Sequence, residues 1–209
     1  QHYNSKYSAI CYDYDKEDKV ILLELLSPGT SLFNVDNLEE RIKIFSNIAI
    51  NLMFDTENES DFKTFEKRFN NKIICVEQNK EEFLDITNII NKGVQLYKEL
   101  KEQNLHKYVI HGDLQHRNIL KSGDTWKAID PHGIIAERAF ETVPFILNEI
   151  RHYNIGIDEL NNIILLLSKY FKEDKRLIEK ALYITIVEKI IWHRHSKYDE
   201  KIIFLFYIS

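Results

Sequence analysis

The sequence predicts an α+β protein that is mainly α-helical, with a small sheet gathered at one face. Three observations carry this. Glycine (six) and proline (three) are scarce among 209 residues, so the chain has few breakers. Long stretches repeat apolar residues at helical spacing. After Tyr108 the texture changes, and short strand-like pieces alternate with loops rich in His, Gly and Asp. At 44% hydrophobic and 29% charged residues, the composition fits one globular domain.

Taken in order, residues 8–12 and 20–25 read as two strands joined by a charged turn over 13–19, an antiparallel hairpin. Ser27, Pro28 and Gly29 break it. Asp36 is a good helix cap, with Glu39 three residues on, and Leu38, Ile42, Phe45, Ile48 and Leu52 follow on one face. Residues 55–60 form a polar loop and 60–69 a short helix. A long amphipathic helix spans 80–102, with Phe83, Ile86, Ile90, Val94, Tyr97 and Leu100 on one side. Strand-like pieces follow at 108–110, 118–121 and 126–129. Helices return after Val143. Pro144 opens one at its first position, and Asp158 caps a second carrying Leu160, Ile163, Leu167 and Tyr170. A third runs over 174–195, apolar on most sides between 181 and 192 and therefore a central core helix. The apolar tail 201–208 is expected to dock on that core.

Several function classes are disfavoured. A net charge of -5 argues against a nucleic-acid surface. The 11 Tyr and 12 Phe sit at core spacing rather than in a stacking platform. No apolar run reaches the roughly 18 residues of a membrane span, and the first residues lack the pattern of a secretion signal. Cys11 and Cys75 are far apart, which fits reduced cysteines in a cytoplasmic protein. His193 and His195, two apart on a helix, point to different faces and make a poor metal pair.

The informative stretch is His111-Gly112-Asp113-Leu114-Gln115-His116-Arg117-Asn118, followed by Trp126-Lys127-Ala128-Ile129-Asp130-Pro131. The pattern H-x-D-x-x-x-x-N, then a strand ending in Asp, is the catalytic-loop and metal-loop order of phosphoryl-transfer enzymes with a protein-kinase-like fold. Transfer to a hydroxyl needs that hydroxyl held and its proton accepted, a role for Asp113 at the loop apex. Asn118 and Asp130 supply the oxygen ligands that suit Mg2+. His111 orients the loop backbone.

HGDLQHRNIL resembles the HGDLHxxNIL segment of aminoglycoside-phosphotransferase-like kinases. WKAIDPHGIIAERAFETVPFILNE is similar to a stretch typical of streptomycin 6-kinases and hydroxyurea phosphotransferases, and ILLELLSPGTSL resembles their hinge segment. The resemblance spans residues 20–150, with the three motifs in the same order. It implies a protein-kinase-like C-terminal lobe (27–209), preceded by a remnant of the N-terminal lobe and the hinge (1–26). It implies ATP held by the backbone of Glu24, Leu25 and Leu26, Mg2+ on Asn118 and Asp130, Asp113 as base, and phosphorylation of a small-molecule hydroxyl, with antibiotic inactivation as the role. Gln115, His132, Ala136 and Arg138 depart from the family pattern. Gln115 stands where a His is usual, and Arg117 is the candidate to supply a cation instead.

A polycationic aminoglycoside calls for an acidic pocket. Glu137, Glu141 and Glu149 are the candidates, Glu141 foremost. The alternative for Glu141 is a structural role, paired with Arg138 or a backbone amide. No glycine-rich loop or strand lysine precedes Val20, so the expectation is a chain shortened at the phosphate-gripping lobe that binds nucleotide weakly alone. Two other readings stand beside the antibiotic kinase. One is a non-catalytic remnant or small-molecule-binding module, and the other a kinase of choline, homoserine or a sugar. The oligomeric state is open.

Overall fold

The computed structural model describes residues 3–192. The tail 201–208, the His193 and His195 pair and the end of the last helix beyond Trp192 lie outside the described residues. The fold is α+β and mainly helical, with six α-helices and three small sheets among the described residues.

The chain opens with a hairpin, β1 (Cys11–Asp15) against β2 (Val20–Leu23), bulged between Cys11 and Asp13. The first strand thus begins three residues later than its apolar content suggests. Residues 7–9 instead run beside a later strand, through Ala9 N–H to the Ala128 carbonyl (2.9 Å) and Ala128 N–H to that of Tyr7 (2.7 Å). The hairpin leaves Tyr12, Tyr14, Ile21 and Leu22 exposed. A second sheet joins β3 (Pro28–Ser31) to β6 (Ile119–Ser122) and β7 (Thr125–Ala128). The third is ordered β4 (Lys63–Thr64), β8 (Ile134–Glu137), β5 (Lys107–Ile110). β5 therefore lies in a different sheet from the β6–β7 hairpin, and the loop 111–118 crosses between the two.

The helical layer holds α1 (Leu38–Leu52), α2 (Phe65–Gln78), α3 (Thr87–Glu102), α4 (Thr142–Tyr153), α5 (Ile157–Phe171) and α6 (Lys175–Trp192). Several starts correct the sequence expectations. The cap of α1 is Asn37, not Asp36, because its side-chain oxygen accepts from Glu40 N–H at 2.9 Å. Thr64 caps α2 by accepting from Lys67 N–H at 3.1 Å, so the helix starts at Phe65 and not near residue 60. Residues 80–86 wind as a 3-10 helix before α3 begins. Pro144 lies in the first turn of α4, two residues after its start. Gly156 precedes α5, with its N–H bonded to Glu159 Oε2 at 3.0 Å, and Asp158 sits in the first turn.

α6 is buried on nearly all sides from Ala181 to Val187. It packs on α3 so closely that Gly93 of α3 faces the Val187 side chain. Phe45, Phe145 and Phe171 bring α1, α4 and α5 together, with ring centres 4.7 and 6.1 Å apart. Each such side chain contributes about 1.5–3 kcal/mol on burial. This core is the rigid support beneath the loops.

Candidate active site

The loop after β5 turns at Gly112, whose φ of +79° is open to glycine without strain. A Cβ there would also come within 2.8 Å of Ile134 Cδ1 on β8. Asp113 follows. Its Oδ2 accepts two amide N–H groups, from Asn118 Nδ2 and Gln115 Nε2, each at 3.0 Å. Asn118 Nδ2 also reaches the Asp113 carbonyl at 2.8 Å. Gln115 is itself oriented by Asn148 Nδ2 of α4, 3.0 Å from its Oε1. Asp113 Oδ1 has no hydrogen-bond partner among the described residues, and Asp113 lines a cavity of about 680 Å³.

His111 lies beneath the loop, buried. Burial first of all pushes its pKa down, to about 4, so the ring is neutral. Its Nε2–H donates to the Ile129 carbonyl at 2.9 Å, and Nδ1 accepts from Asp113 N–H at 3.3 Å. One imidazole thus ties the Asp113 loop to the strand end before Asp130. The Ile129 N–H returns a bond to the Asn118 carbonyl at 2.9 Å. Asp130 follows in left-handed backbone (φ 58°) and is exposed. Among the described residues no group of three His, Cys, Asp or Glu side chains could hold a metal. Asn118 and Asp130 offer one amide oxygen and one carboxylate. That set fits Mg2+, which keeps several waters and takes its remaining ligands from substrate phosphates.

Glu24 N–H bonds the Ile10 carbonyl at 2.8 Å, and its carboxylate grips Lys127 Nζ at 2.8 and 2.9 Å. The hydrogen bond from Lys127 holds the Glu24 carboxyl below its usual pKa. Leu25 is 90% exposed and Leu26 is buried. Arg117 stands exposed on the 3-10 turn before β6, away from the cavity lining.

The three glutamates expected to form an acidic substrate pocket are all buried, and none lines the cavity beside Asp113. Glu137 ends β8 with Lys107 Nζ 4.0 Å away. Glu141 lies under the Asp113 loop and accepts Gly112 N–H at 3.2 Å. Burial, with Asp113 nearby, raises its pKa to about 8 against the lowering effect of two backbone N–H groups. Its neighbour Arg138 instead donates to the Phe171 carbonyl. Glu149 binds Arg41 in a two-point pair at 2.8 Å and accepts from His116 Nε2 at 2.8 Å. Burial raises the Glu149 pKa, but these partners outweigh it and hold the carboxyl ionised. The expected acidic pocket does not form because segment spacing does not say which side of a strand end, of a short 3-10 turn or of α4 faces the core.

What lines the cavity instead comes from three helices. Arg68 and Lys72 lie on α2, Arg151 on α4, and Thr185, Glu188 and Lys189 on α6. Arg68 Nη2 donates to Glu188 Oε2 at 3.0 Å. No local motif marks these residues. The apolar periodicity of α6, interrupted by Thr185, Glu188 and Lys189 within its buried stretch, is the signal that could have found them.

Over 40 residues, 19% of its length, the chain is 50% identical to a streptomycin 3''-kinase of Klebsiella pneumoniae. The match spans 15% of that relative's length. The fold is similar to that of an ethanolamine kinase of Plasmodium vivax, with a TM-score of 0.61 and 14% identity, over 97% of this chain and 66% of that one. This likeness makes the fold protein-kinase-like. The family model for the aminoglycoside/hydroxyurea antibiotic resistance kinases matches residues 1–195, and the chain belongs to that family.

Proposed function

We propose that this chain carries the acceptor and metal side of an ATP-dependent small-molecule kinase. Asp113 Oδ1 accepts the proton of the acceptor hydroxyl. The hydroxyl oxygen forms a bond to the γ-phosphorus of ATP, the bond from that phosphorus to the β,γ-bridging oxygen breaks, and ADP leaves. The observation that carries this reading is the pair of amides on Asp113 Oδ2, which fixes the carboxylate of a residue that lines the cavity and leaves its other oxygen without a hydrogen bond among the described residues. Fixed orientation lets a base act without reorganising.

Asn118 and Asp130 would hold Mg2+, which neutralises charge on the phosphates when bound. The backbone at Glu24, Leu25 and Leu26 would take the nucleotide base, with residues 1–26 as the end of the smaller lobe. Arg117 would approach the phosphates from solvent. His111 and Glu141 are positioning residues under the loop. Aminoglycosides and hydroxyurea, the compounds in the family's name, are the first acceptors to assay. No helix of the described residues is long and apolar enough to cross a membrane, which supports a cytoplasmic site of action.

The test uses the protein expressed from its complete coding sequence. Asp113→Asn is expected to cut phosphate transfer by about 10²- to 10⁴-fold while leaving ATP affinity largely intact. Equal turnover by this variant would remove Asp113 from the role, and no turnover by the unsubstituted protein on any hydroxyl compound would favour a binding module.

A further inference from the structure

Helix α4 holds the Asp113 loop through two consecutive residues. Glu149 accepts from His116 Nε2 at 2.8 Å, and Asn148 Nδ2 donates to Gln115 Oε1 at 3.0 Å. Glu149 is pinned in the core by Arg41. Asn148 is half-buried and lines the cavity together with Gln115 and Asp113. Gln115 Nε2 carries the chain of bonds onward to Asp113 Oδ2, at 3.0 Å. The polarity of this chain is set from its Asp113 end. An ionised carboxylate only accepts hydrogen bonds, so Gln115 must turn its NH2 group to it, and the amide oxygen then faces away and calls for a donor. Asn148 supplies that donor from 33 residues further along the chain. Without Asn148, either end of the Gln115 amide could turn toward the carboxylate, and the oxygen end would repel it.

We propose that Asn148 is a positioning residue for proton acceptance at Asp113, acting through Gln115. With the amides of Gln115 and Asn118 both on Oδ2, Oδ1 is the oxygen left to take the hydroxyl proton. The Asn118 amide belongs to the loop itself, so the Asn148 link is what refers the direction of the carboxylate to a packed helix. A side chain held at both ends has no rotamer freedom left to lose when the acceptor arrives. The chain needs a donor on one side of residue 115 and an acceptor on the other. A neutral imidazole has both, one N–H and one bare ring nitrogen, whereas a Met side chain of similar length has neither. What Asp113 does with the proton rests on the kinase reading. The chain of bonds that orients it does not.

The test compares Asn148→Leu, Gln115→Met, the double variant and Gln115→His in the full-length protein. With a compound that is phosphorylated, Asn148→Leu is expected to lower kcat by roughly ten- to a hundredfold at unchanged KM for ATP. Gln115→Met should cost about as much, and the double variant should be no slower than Gln115→Met, because the two residues act in one chain. Gln115→His should recover most of the turnover that Gln115→Met loses. Unaltered kcat in Asn148→Leu, losses that multiply in the double variant, or a His variant as slow as the Met variant would overturn the proposal. Side-chain amide signals in proton–nitrogen correlation spectra are read on the same proteins without substrate, the Gln115 pair being the one missing from Gln115→Met. Its protons are expected to exchange with water about tenfold or more faster in Asn148→Leu, and unchanged exchange would also overturn the proposal. Absence of phosphate transfer by the unsubstituted protein on every compound refutes the kinase reading. Faster exchange in Asn148→Leu then upholds Asn148 as the residue that orients Asp113, and unchanged exchange rejects both.

Discussion

Arg41 ties α1 to α4 at a point remote in sequence from the loop that carries Asp113. It is 3% exposed, and its Nε and Nη2 each donate to Glu149 at 2.8 Å. Nη1 donates to the carbonyls of Val35 and Asp36, also at 2.8 Å. Glu149 in turn accepts from His116, which opens the 3-10 turn after Asp113 and is stacked between Phe33 and Phe145. Burial pushes the His116 pKa down despite the carboxylate, so Nε2–H donates from a neutral ring. Replacing Arg41 by Met leaves Glu149, 1% exposed, with one neutral donor. Removing one partner of a buried pair costs about 3–5 kcal/mol. With a urea m-value of about 2–3 kcal/mol per M, the midpoint should fall by roughly 1–2 M. Denaturant unfolding by circular dichroism measures this. The double variant Arg41→Met with Glu149→Leu should recover most of the loss, because no charge is then left unpaired. A loss under about 1 kcal/mol in the single variant, or a double variant worse than the single, would refute the reasoning.

Two further outcomes follow from the same packing. Unfolded Glu141 releases its proton near 4.5, whereas the folded carboxyl keeps it until about 8. The unfolded state therefore binds fewer protons in that window, and stability falls as pH rises through it. Glu141→Gln should remove this fall in the urea midpoint between pH 6.5 and 8; His111, neutral when folded and titrating near 6.5 when unfolded, adds an opposite slope that the variant leaves in place. An unchanged slope would exclude Glu141 as its source. Gly93→Ala places a Cβ 2.8 Å from Val187 Cγ2. Overpacking of about 1–3 kcal/mol exceeds the roughly 1 kcal/mol gained in helix propensity, so the melting temperature should drop by about 2–4 °C. Adding Val187→Ala should return part of it, and a rise in the single variant would contradict the close approach.

The sequence by itself determined the local geometry of the loop at Asp113. Asp113, Gln115 and Asn118 are near neighbours, and their hydrogen bonds close within one turn of chain, so contiguous residues are enough to specify them. The amphipathic helices were equally legible, since periodicity and burial are the same fact seen twice. Local competition blurred the boundaries. Asp36 and Asn37 are both good caps, and the fold uses the second. Strand β8 is four residues, all buried, with no alternation to announce it, and its parallel pairing with β4 joins segments some seventy residues apart. Only the tertiary structure decided the character of the cavity beside Asp113. Arg41 meets Glu149 across 108 positions, which takes that acid out of the pocket. The charges that do face Asp113 converge from α2, α4 and α6. Charge becomes a pocket property only when helices cross, because the field a substrate meets depends on which side chains share a cavity and not on their order in the chain.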